Sequence, residues 1–515
     1  MIRTSTLAIV LALSSGTALA QHAPAGDTPS KEARADAPKP DPDTVKASAV
    51  EDAQPVKRSV SIRGRSLSYT VTPGHLTIRN DKGEPTASMF YVAYTVPSGA
   101  RPRPVTFLFN GGPGSSTMWL HMGSFGPIKV DASVPETVAG PPFRYGPNPD
   151  SLLDVTDLVF IDAPTTGLSR EIGKAEPKDF FGVDKDIDAF SRTIQRYLTK
   201  YGRWNSPKFI IGESYGTTRA AGLSRTLMDH GVQLNGIALV STVLNFADFQ
   251  GDQSFVNFFP TLAANAWYHG KIEPKPDLMQ FLAEAREFAS GPYTLALQKG
   301  TTISEPEKQS IAQQMARFLG ISADYILRSN LRVQDDRFRR ELLRDRHQII
   351  GRIDSRYVGT EADSAGAGTS YDPQASAITG AFVGALNDYL FRDLGYKTEL
   401  TYRPNNYAAI YGGPDGWSFE HKGPDGEQQI ADTSVDLADA MRQNPRLKIL
   451  SVNGLYDLAT PFHGAEYEMQ HLALEPQLQA NIRYTYYPSG HMMYTDPDSA
   501  RQLKADMVEF YNSAL

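Results

Sequence analysis

Short apolar runs bounded by loop residues recur along the chain. They are Val105–Phe109, Asp157–Asp162, Lys208–Ile211, Gly236–Val240, Leu447–Val452 and Ile482–Tyr487. Runs of this length suit strands covered on both faces. Between them lie helical patterns: Val183, Ile187, Phe190, Ile194 and Leu198 recur at spacings of three and four, which places them on one helix face. Strands alternating with helices imply a largely parallel sheet with helices on both sides. Ahead of these runs, Ser59–Thr72, His75–Arg79 and Ala87–Val96 alternate polar and apolar residues, and Asn80-Asp81-Lys82-Gly83 marks a hairpin turn between the last two. Between about Asn245 and Ile430 the rhythm breaks. Helical stretches at Asp277–Phe288, Glu305–Leu319 and Ala381–Leu390 alternate there with Gly- and Pro-rich loops. This organisation predicts a core formed by 57–245 and 431–515, with 246–430 inserted as a mainly helical cap over the sheet. No internal repeat is present.

The N-terminal segment has a different character. Arg3 supplies a positive start, Leu7 to Leu13 is apolar, and Ala18-Leu19-Ala20 offers small residues at a cleavage site, so 1–20 is expected to be a secretion signal. Residues 21–56 are rich in Ala, Pro, Asp and Lys and are expected to form a flexible linker. No later segment reaches the ~18 uninterrupted apolar residues of a membrane span. The expected location is therefore periplasmic or secreted.

Cysteine is absent, which excludes disulfides, thiolate catalysis and Cys-ligated zinc. The net charge of −7, without a long Lys/Arg run, argues against a nucleic-acid partner, whose footprint is a concentrated basic face. No feature of the sequence sets an oligomeric state.

Gly212-Glu213-Ser214-Tyr215-Gly216 follows the run Lys208–Ile211 and precedes a helical stretch, Thr217–Asp229. Gly-x-Ser-x-Gly in that setting is a nucleophile elbow. The serine must sit on a tight, strained turn, and glycines two residues to either side let neighbouring backbone pass without Cβ clashes. The competing reading is a serine that caps an ordinary helix. Two later segments weigh against it. Leu447–Val452 runs into Asn453-Gly454-Leu455-Tyr456-Asp457, and Ile482–Tyr487 runs into Pro488-Ser489-Gly490-His491. Enzymes with this elbow carry their partners in the order Ser, Asp/Glu, His. Ser214, Asp457 and His491 are thus the candidate catalytic triad, with Asp457 orienting His491, which takes the Ser214 proton and later returns it. His463 and His471 have no strand between them and Asp457, and His121 and His269 fall in the wrong place for the order. There is no His-Glu-x-x-His, and His463, Glu466 and His471 lack a spacing that would converge them. No metal and no cofactor are expected.

Asn110-Gly111-Gly112-Pro113-Gly114-Ser115-Ser116 follows Val105–Phe109, where glycines let backbone N–H groups approach a developing oxyanion. Pro113 has no N–H, so the loop's donor must be a glycine, and the second donor should be the Tyr215 N–H. The Lys-Ser/Thr of a phosphate-binding loop is missing.

With these motifs the chain resembles the serine carboxypeptidase family. The likeness rests on the Asn-Gly-Gly-Pro-Gly loop, the Gly-Glu-Ser-Tyr-Gly elbow, Tyr456-Asp457, Gly490-His491-Met492, Phe160–Pro164 and Pro260–Tyr268, and it spans roughly Val105 to Asp496. The resemblance implies an α/β-hydrolase-type fold, its mostly parallel sheet flanked by helices. It also implies an enzyme that cuts the last residue from peptide substrates. It implies that Asn110 and Glu213 hydrogen-bond the substrate α-carboxylate, and that the Gly112 and Tyr215 N–H groups form the oxyanion hole. The chain departs from the family pattern at three positions. Ser115 stands where a disulfide-forming Cys is common, Ser124 where a Glu supports the carboxylate site, and Phe109 where a Trp often precedes the Asn. An esterase or acyltransferase could use the same triad, since fold and triad alone do not fix the acyl group. A non-catalytic binding protein would have no need of Ser214, Asp457 and His491 together. Trp119, Met492, Phe258, Phe259 and Trp267 are candidates for lining a pocket, with core packing as the alternative.

Overall fold

Each apolar run forms a strand in a computed structural model, which describes residues 47–515 apart from 98, 100–101, 133–134, 136–139 and 413–414. The expected signal at 1–20 and most of the expected linker lie outside the described residues. The strands that build the main sheet are β1 (Val56–Ile62), β2 (Arg65–Arg79), β3 (Pro85–Thr95), β4 (Val105–Phe109), β5 (Asp157–Ile161), β6 (Lys208–Glu213), β7 (Gly236–Val240), β8 (Lys448–Gly454) and β9 (Ile482–Tyr487). Their spatial order is β1-β2-β3-β5-β4-β6-β7-β8-β9, with the two-residue strand Arg170–Glu171 paired beside β3. Pairing is antiparallel from β1 through β3 to β5. It is parallel from β5 onward. Ser59–Thr72 is not one strand but the β1–β2 hairpin, turned at Arg63 and Gly64, both at positive φ. Arg-Gly lacks the Asn-Gly or Asp-Gly signature of such turns.

The helices that flank or cap the sheet are α1 (Met118–Gly123), α2 (Val183–Lys200), α3 (Tyr215–Asp229), α4 (Gly251–Tyr268), α5 (Leu278–Phe288), α6 (Glu305–Leu319), α7 (Pro373–Asn387), α8 (Ser434–Gln443), α9 (Phe462–Gln470) and α10 (Pro497–Ala514). Strand alternation divides the core between two faces. Phe107, Ile210 and Ile237 pack with α2, α3 and α8 on one face, while Leu108, Ile211 and Val240 pack with α1, α7 and α10 on the other. Burial on both faces is what made these strands read as continuous apolar runs.

The helical segment after Asn245 is not one unit. α4, α5 and α6 share a core of their own, which joins the rest through Leu455, Tyr456, Leu458 and Phe462, on either side of Asp457. α7 instead packs on the sheet's α1 side through Ile378, Phe382 and Leu386.

The last residues of the expected linker are ordered, which corrects that reading for 47–56. Glu51 pairs with Arg196 Nε at 2.7 Å and Lys200 Nζ at 3.1 Å, and Asp52 Oδ1 lies 2.8 Å from His75 Nδ1. Ion pairs and a bridge from Ala53 to Gly74 hold a segment that has too little apolar surface to order itself. Among the described residues no helix is long and apolar enough to cross a membrane.

Candidate active site

Four segments carrying candidate residues leave the C-terminal ends of parallel strands: Asn110 after β4, Ser214 after the neighbouring β6, and Asp457 and His491 after β8 and β9, beyond β7. This is the edge at which open α/β sheets place their sites.

Ser214 sits between β6 and α3 at φ 60°, ψ −131°, a strained conformation for a residue with a Cβ. Its backbone is pinned from both sides. The Ser214 N–H donates to the Val240 carbonyl at 2.9 Å, and the Thr217 N–H and Oγ1 both donate to the Ser214 carbonyl at 2.7 Å. The flanking glycines are a matter of contact, since a Cβ on Gly212 would stand 2.1 Å from the Gly216 carbonyl oxygen. The Ser214 hydroxyl does not cap α3, which removes the bland reading of this serine.

Asp457 is fully buried and His491 nearly so. His491 Nδ1 lies 2.7 Å from Asp457 Oδ2. The second Asp457 oxygen accepts the backbone N–H groups of Ala459 and Thr460, at 2.7 and 3.0 Å, and Thr460 Oγ1 donates to Oδ2 at 2.7 Å. The carboxylate is therefore held in one orientation against the imidazole. Burial opposes the His491 cation, but the charge and hydrogen bond of Asp457 outweigh it and hold the imidazole above its ordinary pKa.

The Asn110 and Tyr215 segments meet at the elbow. The Tyr215 N–H is one of the unpaired donors at the start of α3. Gly112, at φ 108°, occupies backbone space in which a Cβ would come within 2.9 Å of the Gly114 and Ser115 nitrogens. Glu213 is buried next to the serine, and the Tyr494 hydroxyl donates to its Oε2 at 2.6 Å. Burial pushes the Glu213 carboxyl up to about 7, against the opposing pull of His491, Tyr494 and Asn110. The side chain of Asn110 accepts the Leu120 N–H at 3.0 Å, which ties its loop to α1. Ser124 plays no part in the site, because its hydroxyl donates to the Leu120 carbonyl at 2.6 Å.

Asn110, Gly112, Glu213, Ser214 and His491 all line one cleft of about 490 Å³, within the range of small-molecule and peptide-end sites. Trp119 and Met492 line it too. Phe258, Phe259 and Trp267 pack instead in or against the α4–α6 core. His463 bonds Glu466 at 2.8 Å, and His121 bonds the Tyr94 hydroxyl at 2.6 Å, so each is engaged elsewhere. Among the described residues no group of His, Asp or Glu is arranged to hold a metal.

Sequence reasoning missed several supporting residues. The fully buried Arg219 donates to both oxygens of Asp186, at 2.7 and 3.2 Å, and to the Asn110 carbonyl at 2.7 Å. It thereby fastens α3, which carries the elbow, to α2 and the glycine-rich loop. Its guanidinium carbon lies 4.1 Å from the Phe190 ring centroid. Thr460 had a local signal, three residues after Asp457. Tyr494 and Arg219 had none, since an isolated Tyr or helical Arg carries no spacing that marks its partner.

A family model described as serine carboxypeptidase matches residues 64–326. No curated protein sequence matches the chain. Among solved structures, a proline iminopeptidase from Mycobacterium smegmatis is 12% identical, with 89% of this chain and 98% of that one covered at a TM-score of 0.38. A thermostable carboxyl esterase from Bacillus coagulans is also 12% identical, with 85% and 98% covered and a TM-score of 0.34.

Proposed function

The chain belongs to the serine carboxypeptidase family, and from that premise we propose that it is an exported enzyme, periplasmic or secreted, that releases C-terminal residues from peptides through an acyl-serine intermediate. Ser214 Oγ attacks the carbonyl of the last peptide bond while His491 takes its proton. The oxyanion of the tetrahedral intermediate is met by the Gly112 and Tyr215 N–H groups. Collapse expels the C-terminal residue, whose amine takes the proton from His491. A water molecule, deprotonated by the same imidazole, then hydrolyses the acyl-serine and frees Ser214.

One observation carries the exopeptidase reading. Glu213, beside the nucleophile and lining the cleft, is a buried carboxyl with a pKa near 7. Two carboxylates in contact cannot both stay ionised cheaply, so a protonated Glu213 can share its proton with a substrate α-carboxylate. Export is supported by Arg3, Leu7–Leu13 and Ala18–Ala20, and is tested by fractionating cells that express the full chain.

The reaction is tested with one peptide in free-acid and C-terminally amidated forms. The free acid should be preferred at about pH 5, where Glu213 holds a proton, and the preference should shrink toward pH 8. Equal cleavage of both forms across that range, with rapid hydrolysis of simple esters, would assign the triad to an esterase instead.

A further inference from the structure

The cleft holds a cation and a buried amide that peptide-bond hydrolysis does not use. Arg352 lines it, and among the described residues its guanidinium makes no ion pair or hydrogen bond. Only its backbone is engaged, the N–H with Asp372 Oδ2 at 2.5 Å and the carbonyl accepting the Leu458 N–H at 2.9 Å. Gln374 lines the same cleft and is 1% exposed, yet neither its Oε1 nor its Nε2 has a partner. A buried amide with both polar atoms unpaired is costly, and native structures keep such groups where something else satisfies them.

The two residues belong to one end of one helix. Asp372 caps α7, accepting the N–H groups of Ala375 at 2.9 Å, Ile353 at 3.3 Å and Arg352. Three backbone donors thus occupy its carboxylate, leaving the Arg352 side chain free of it. Asp335 feels the charge of Arg352 from beyond ion-pair distance. Gln374 is the second residue of α7, a fifteen-residue helix whose N-terminal end favours negative charge. A guanidinium fork, an unsatisfied amide and a helix N-terminus at one cleft wall are the chemistry of a carboxylate site.

Its place in the cleft says which carboxylate. Asp372, Gln374, Ala375 and Ile378, at the start of α7, line the same cleft as Asn110 and Glu213. The start of α7 therefore adjoins the α-carboxylate subsite, where the side chain of the departing residue must lie. We infer that the cleft selects peptides whose C-terminal residue has an acidic side chain, taken by Arg352 and Gln374 at the N-terminal end of α7. This rests on the carboxypeptidase reading, because it needs the α-carboxylate at Glu213 and Asn110.

The test uses purified full-length enzyme and N-blocked dipeptides that share one acyl residue and end in Glu, Gln, Leu or Lys. At about pH 6 the glutamate side chain is ionised. The wild-type kcat/KM should favour Glu over its neutral isostere Gln by about tenfold or more. Arg352→Gln should bring that ratio close to one, and Arg352→Lys should restore part of it, since the charge returns without the fork. Arg352→Glu should turn the preference toward Lys. Because the Arg352 side chain has no partner, these variants should fold, as circular dichroism will check. A Glu-to-Gln ratio near one in the wild type, or one unmoved by Arg352→Gln, overturns the inference. If Leu-ending peptides are then still cleaved, the carboxypeptidase reading stands alone. If no free-acid peptide is cleaved while simple esters are, both fall.

Discussion

The Tyr494 hydroxyl donates to Glu213 Oε2 over 2.6 Å, so the carboxyl beside Ser214 is braced by a phenol from the segment that follows His491. Ser124, at the position where the family pattern carries a supporting Glu, is turned away toward the Leu120 carbonyl. A hydrogen bond donated to a carboxylate favours its ionised form. Tyr494→Phe should therefore raise the Glu213 pKa further above about 7. In the proposed reaction the protonated carboxyl accepts the substrate carboxylate, so the alkaline limb of kcat/KM for peptides should move to higher pH. Glu213→Gln should abolish that limb. The measurement is a set of three pH–rate profiles, and superimposable alkaline limbs would remove Glu213 from the binding step.

Asp457 has both oxygens occupied, one by His491 and Thr460 Oγ1, the other by two backbone N–H groups. Asp457→Asn keeps the shape but leaves His491 Nδ1 facing an amide that can present the wrong group, so kcat should fall by up to ~10⁴. A loss under about tenfold would mean that another acid orients His491.

The parts legible in the sequence were those where one physical requirement dictates residue type locally. β4 to β8 read as strands because both faces are buried, whereas β9 is the edge strand and is only partly covered. The elbow and glycine-rich loop were legible because Gly212, Gly216 and Gly112 stand where backbone meets backbone. Asp457 and His491 followed from the order of strands. What could not be read depends on contacts distant in sequence. Arg219 reaches Asn110 across 109 positions, and Tyr494 reaches Glu213 across 281. α7 looked like part of a cap because helical periodicity says which face is apolar, not which neighbour covers it. The ordered stretch around Glu51 and Asp52 was invisible for a similar reason. Its partners Arg196 and His75 lie in other elements, and polar composition alone suggested a tether.

The strain at Ser214 gives a prediction in which stability and activity part company. A non-glycine residue held at φ 60°, ψ −131° costs on the order of 1–3 kcal/mol. Ser214→Gly relieves that strain, partly offset by the greater freedom of glycine in the unfolded chain, roughly 0.5–1 kcal/mol. The variant should be inactive and unreactive toward an organophosphonate ester, yet melt no lower than the wild type and up to a few degrees higher. Ser214→Ala, which keeps the Cβ, should be equally inactive without that gain. If Ser214→Gly melted well below Ser214→Ala, the conformation would not be a strained one.

The last prediction concerns His421, which joins the inserted segment to two core helices. Its Nδ1 lies 2.5 Å from Asp184 Oδ1 in the first turn of α2, and its Nε2 lies 2.7 Å from Asp436 Oδ2 in the first turn of α8. Arg225 also faces Asp436, at 3.5 Å, and competes for it. Burial disfavours the imidazolium, but its hydrogen bonds to the two carboxylates outweigh burial and push His421 from 6.5 up to about 9. A histidine whose pKa is raised by folding contributes stability that is fully present below the unfolded value and is lost as pH rises through the folded one. The window here runs from about 6.5 to about 9, worth roughly 3 kcal/mol at most and less after solvent screening of the partly exposed pair. Glu213, a raised carboxyl, loses its contribution lower, between 4.5 and about 7, but His491, also held above its ordinary value, titrates from 6.5 upward as well, so His421 is isolated by comparing the wild type with a His421 variant at each pH. His421→Gln should thus be less stable than the wild type at pH 6, with the gap narrowing by pH 9. Thermal or denaturant melts of both proteins at the two pH values supply the comparison. A gap that stays constant across them would show that His421 is not charged in the folded protein.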